Sequence, residues 1–148
     1  MSELHQWFAV VTVAANAVAA GWGAIAWSRG LASRGFWYVL RVAQATVVLQ
    51  VVIGMALVFS GRRPPDDLHY VYAATPLFVA LVSEALRVTA SQRELEELDD
   101  PKELSRRDQI LLARRIVLRE IGIMTIGLLL VVTLLLRALS SGGFVSFL

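Results

Sequence analysis

Residues 36–88 read FWYVLRVAQATVVLQVVIGMALVFSGRRPPDDLHYVYAATPLFVALVSEALRV. Two apolar runs of about 20 residues flank the segment GRRPPDD, and that is the length needed to cross a hydrocarbon core of about 30 Å. Two prolines in a row cannot continue a helix, and Asp66 or Asp67 is a good N-cap for the next one. The stretch therefore predicts a helical hairpin with spans over 36–60 and 68–90. Arg41, Gln44 and Gln50 interrupt the first span. Pro76 lies inside the second and should kink it, freeing a carbonyl about one turn earlier.

Working outward, a further span is predicted at 7–27, with Trp7 and Trp27 as interfacial anchors and Asn16 near its middle. It is rich in Ala and Gly, which let neighbouring helices approach closely. It follows an acidic residue rather than a basic n-region and is too long for a signal h-region, so it is expected to remain as a span. Beyond residue 90 the chain turns polar, SQRELEEL, and the third helix should run on into solvent. DDPKEL then reads as a helix start, with Asp99 or Asp100 as cap and Pro101 in the first turn. The last span is placed at 116–138, and the tail SSGGFVSFL reads as flexible or interfacial. The whole of 1–148 is thus expected to be one all-α integral membrane domain. It would be a four-transmembrane-helix bundle with a cytoplasmic helical hairpin extension at 91–115.

Composition agrees. The chain is 57 % hydrophobic, more than a soluble domain of 148 residues would carry. With no cysteine, disulfides, thiol catalysis, iron–sulfur clusters and zinc-thiolate sites are excluded. The net charge of +2 is small and the cations form no nucleic-acid-like patch, so no nucleic-acid partner is expected. No P-loop, dinucleotide, HExxH or nucleophile-elbow motif is present. Arg29, Arg34, Arg41, Arg87, Arg93, Lys102, Arg106, Arg107, Arg114, Arg115 and Arg119 fall on one side of the four spans. Only Arg62, Arg63 and Arg137 fall on the other. The positive-inside rule then predicts a multi-pass plasma-membrane protein with both termini on the outer side.

The chain has two histidines, and each opens a span: His5 the first, His69 the third. In this topology both imidazoles lie at the same depth on the outer side. A haem b held in a helix bundle needs two such imidazoles on different helices, with small residues beside them. Ala9 and Ala73 follow each histidine by four residues, and Gly54 lies at similar depth on the second span. Arg62 and Arg63 stand where propionates would emerge. The competing reading is a pair of ordinary headgroup-level histidines.

Gln50, Gly54, Leu68 and His69 resemble one stretch of the haem A synthase family, where a helix bearing Gln-x-x-x-Gly precedes an outer loop and Leu-His opens the next helix. Glu3, Leu4, His5 and Gln6 approximate that family's Glu-x-x-His-Arg segment, with shorter spacing and Gln6 where an arginine is expected. The resemblance covers roughly the first 90 residues. It implies a four-helix half-bundle clamping a haem between two histidines at the outer side. This chain departs from the family in having one half-bundle rather than two, no outer-loop cysteines, and its fourth helix last rather than first. The resemblance therefore implies haem binding more than haem A synthesis.

Two other features are read structurally and functionally. Ionisable groups in a membrane cost roughly 2.5–3.5 kcal/mol each, so Arg41 and Glu84, with Arg87 near by, are expected to pair. The pair is read as an interhelical structural bridge, or as a relay using Gln44 and Asn16. The acidic RELEELDD can pair with the basic SRRDQILLARR, and Arg114, Arg115 and Arg119 can reach anionic membrane lipids at on the order of 1 kcal/mol each. That surface reads as a solvated extension or as a docking face for another protein. Trp37, Tyr38, Tyr70 and Tyr72 read as interface belts, with Tyr72 able to hydrogen-bond a ligand. The leading expectation is a cytochrome b-like haem protein for electron transfer or haem handling, with other membrane subunits of a respiratory complex as candidate partners. The alternative is an accessory or scaffolding protein that packs or homo-oligomerises through its Ala/Gly-rich helix. A weaker third is a transporter subunit using Arg41 and Glu84.

Overall fold

The computed structural model describes residues 3–63, 66–96 and 104–141. They form four helices in order: α1 (Glu3–Ser28), α2 (Arg34–Phe59), α3 (Leu68–Glu96) and α4 (Arg106–Ser141). Each is long and apolar enough to cross a membrane.

The helix ends follow local chemistry. Gly30 (φ 63°) and Gly61 (φ 82°) end α1 and α2 in left-handed turns that only glycine adopts cheaply. The Ser33 hydroxyl caps α2 by accepting the Phe36 N–H. The Asp66 carboxylate accepts the Leu68 N–H at 3.0 Å as α3 begins. Helix α3 stays continuous through Pro76. The start of α4 corrects the expectation. Leu104 and Ser105 are not helical, and Ser105 accepts the Asp108 N–H while donating to the Asp108 carboxylate at 2.6 Å. Ser105 is thus the N-cap of α4. The expected caps Asp99 and Asp100, Pro101, the hairpin turn and the tail all lie outside the described residues.

Helix α1 packs on α2 and α4, and α4 on α3, whereas α2 and α3 share a much shorter contact. The result is an up-down-up-down bundle with α1 and α3 on one diagonal. Small residues set the close crossings. A Cβ on Gly23 would land on the Thr125 hydroxyl and 2.7 Å from the Phe36 ring; one on Gly127 would land on the Ser83 side chain. Asn16 ties α1 to α2, its amide donating to the carbonyls of Thr12 (2.8 Å) and Ala43 (3.3 Å). These bonds spend its polarity on packing rather than on a relay. Outward faces carry exposed Val11, Ile25, Leu49, Phe78, Leu81 and Leu130, a surface suited to lipid.

Gly127→Ala is expected to destabilise the bundle by about 1–3 kcal/mol, the usual cost of overpacking. The new methyl would meet Ser83 Cβ at 2.9 Å, an atom anchored to its own helix. Unfolding in a denaturing-detergent titration measures this. Gly21→Ala, which meets nothing within 4 Å, is the neutral control.

The core is denser at one end. Ala19, Ala20, Phe36, Leu40, Ile121 and Met124 fill the half towards the α1–α2 loop. Towards the other end it narrows to Val47, Val131 and Leu135, and beyond Val47 and Leu135 a cavity begins.

Candidate functional site

The first turns of α1 and α3 bring His5 and His69 to the same end of the bundle, across its diagonal. Their ring centroids are 6.4 Å apart and the ring planes cross at 68°. Between and beside them lies a cavity of about 590 Å³, within the range of small-molecule cofactor sites. Ala9, Gly54, Ala73, Arg62 and Arg63 all line it, so every residue expected at the site is brought together with the histidines. Small residues hold the space open. A Cβ on Gly54 would come within 3.4 Å of His5 Cε1.

Each histidine is held by groups outside the cavity's centre. The Ala138 carbonyl accepts a hydrogen bond from the His69 ring, and Ser141 Oγ stands 3.5 Å from His69 Nδ1. Gln50 on α2 holds His5: its Nε2 lies 3.3 Å from Nδ1, 3.4 Å from Nε2 and 3.3 Å from the His5 carbonyl oxygen. His5 is only 6 % exposed. The carbonyl beside His69 is the kind of partner that fixes ring orientation where an imidazole binds a metal, whereas Gln50 Nε2 meets His5 as a donor.

The donor set discriminates between ligands. Among the described residues no cluster of three or more His, Asp or Glu could hold a bare metal ion. A zinc site needs three or four protein donors. A metal that arrives with its own four equatorial nitrogens needs only two, which is what the cavity offers. The described residues thus bring two imidazole donors from different helices to one cavity, with small residues beside them.

The other wall was not read from the sequence. Leu135, Ala138 and Leu139 of α4 close the cavity, and their i, i+3, i+4 spacing was the available signal. Tyr70 lines it, but Tyr72 does not: its ring carries the Arg137 guanidinium at 5.6 Å, so the ligand contact suggested for Tyr72 is corrected.

At the opposite end Arg41 meets Glu84 at 2.5 Å, as expected, within a larger charge-balanced cluster. Gln44 Nε2 donates to Glu84 (2.9 Å), and Arg87 bridges Glu84 (2.9 Å) and Glu120 (3.5 Å) while lying over the Trp37 ring at 5.3 Å. Glu120, a lone acid where the last span begins, was the missed member. Further out Arg119 pairs with Glu94, and Arg114 donates to the Gly30 carbonyl at 2.9 Å. Two of the three arginines expected at lipid headgroups thus hold the fold together. Compared with known proteins, the chain matches no family model, no curated protein and no solved structure.

Proposed function

We propose that this chain is a membrane haem b-binding protein, serving electron transfer or haem handling. The observation that carries the reading is the pair of diagonal histidines, 6.4 Å apart across a cavity walled by Ala9, Gly54 and Ala73. His5 and His69 would hold the iron, and Arg62 and Arg63 at the rim would pair with the propionates. When bound, the group supplies one-electron redox chemistry. The chain itself orients the two imidazoles through Gln50 and Ala138, and excludes water with the apolar sides of Val47, Val51 and Leu135. The likeness of Gln50, Gly54, Leu68 and His69 to the haem A synthase pattern points the same way. The asymmetry of Lys and Arg favours placing this end at the outer face of a plasma membrane.

The test is an optical spectrum of detergent-purified protein loaded with haemin, oxidised and then dithionite-reduced. A Soret band with sharp reduced α and β bands is expected; a spectrum identical to haemin in empty micelles overturns the reading.

A second reading rests on the outward side of α1. Ala17 and Gly21 are exposed there at small-xxx-small spacing, a pattern suited to helix–helix association with another copy or subunit. Gly21→Leu is expected to reduce any oligomer seen by light scattering in detergent.

A further inference from the structure

Gln50 has more to do at this site than fill its wall. It sits on α2, opposite the first turn of α1, and its amide nitrogen is within 3.3–3.4 Å of both His5 ring nitrogens. Its other head atom, Oε1, is buried with no hydrogen-bond partner. An orphaned buried acceptor is costly and asks for a compensating use. The ring chemistry supplies one. A neutral imidazole has one N–H and one lone pair. As placed, the Gln50 N–H groups can donate only to the ring's lone pair, the electrons a metal would take. Turned over about its last bond, the amide would present Oε1 instead, an acceptor for the imidazole N–H that leaves the ring's lone pair unused by Gln50. That is the arrangement in which metal-binding histidines are held, with the second ring nitrogen donating to a carbonyl or carboxylate. The turn gives up the bond to the His5 carbonyl and sets Oε1 beside that oxygen, so it is favoured only when the ring's lone pair is engaged elsewhere and the amide shifts off the carbonyl.

We propose that Gln50 is a positioning residue for His5: its amide holds the ring through Nε2 without a cofactor and through Oε1 when the imidazole binds iron. Resting on the haem reading above, this gives the two histidines matched supports, the Gln50 amide for His5 and the Ala138 carbonyl for His69. It also makes the ligand electronics adjustable at residue 50, because an acceptor on the ring N–H strengthens the imidazole as a donor and favours ferric iron.

The experiment is haemin titration and redox potentiometry of purified wild-type, Gln50→Met and Gln50→Glu proteins, with helicity followed by circular dichroism. Methionine keeps the volume and apolar packing but removes the acceptor. Its affinity for haemin is expected to fall about ten- to a hundredfold, and its midpoint potential to rise. Glutamate restores an acceptor, and is expected to recover affinity and lower the potential below that of the wild type. A wild type that loads haemin, with a Gln50→Met variant of equal affinity and unchanged potential, overturns the role of Gln50 and leaves the haem site standing. A wild type that does not load haemin overturns both. Because Gln50→Met adds no charge, its potential shift decides between tuning of the ligand and a general electrostatic effect.

Discussion

Replacing His69 with alanine is expected to abolish the sharp reduced α and β bands of the haemin-loaded protein and to weaken haemin binding by more than about a hundredfold. Even groups that merely support a metal ligand are worth ten- to a hundredfold in affinity, so loss of the ligand itself should exceed that. The alternatives on the spot are poor. His5 is the only other histidine, and the lining around His69 is Tyr70, Ala73, Ala74 and Ala138, none of which replaces a neutral imidazole on iron. His5→Ala should have the same spectral effect with a different cost to the apoprotein. His5 is buried against Gln50, so its removal leaves a void and takes the ring from the Gln50 amide, which keeps the residue-5 carbonyl, and should cost about 1–3 kcal/mol. His69 is only partly buried, and its main bond is to the Ala138 carbonyl near the end of α4, so its removal should cost less. Equal loss of colour with unequal loss of stability is the expected pattern, read by spectroscopy and by detergent-denaturant titration. Retention of the six-coordinate spectrum in either variant would exclude that histidine as a ligand.

Glu84→Leu is expected to destabilise the bundle by about 2–3 kcal/mol while leaving haemin binding unchanged. Glu84 accepts hydrogen bonds from Arg41, Gln44 and Arg87, and it joins α2 to α3 where those helices otherwise make little contact. Without it, Arg41 is left with the Gln44 side chain and Arg87 with Glu120. Breaking a buried ion pair costs about 3–5 kcal/mol, and the figure is reduced here because the Arg41 side chain is 55 % exposed and can snorkel. For the same reason Arg41→Gln should cost under about 1 kcal/mol. Denaturation midpoints of the two variants check the ranking. A relay role would instead appear as altered ion or proton flux in liposomes with stability unchanged, which the Glu84→Gln variant tests directly.

Much of this was legible in the linear chain, for identifiable reasons. Helix existence follows from apolar run length, and its interruption from Pro64–Pro65, because both depend on local covalent chemistry. The depth of His5 and His69 follows from their place at the front of successive same-direction spans. The pairing of Arg41 with Glu84 follows from the cost of leaving either charge alone in an otherwise apolar helix. Gln50 was visible as a polar residue in an apolar span, yet its role was not, because spacing along α2 does not say which neighbour its amide meets. Glu120 was hidden in the same way. It joins Arg87 only because α3 and α4 pack side by side, which brings residues distant in sequence together.

The sequence by itself determined four apolar helices, their alternating direction, and two imidazoles at one end, since a chain that must satisfy its backbone polar groups internally has few other options in an apolar medium. Which helices share a diagonal was decided only by tertiary packing. Gly23 and Gly127 let α4 wedge between α1 and α3, α2 and α3 stay apart beyond the Glu84 cluster, and the space so left lies between the two histidines. Close packing depends on the fit of many side chains from distant parts of the chain, and no local pattern encodes it.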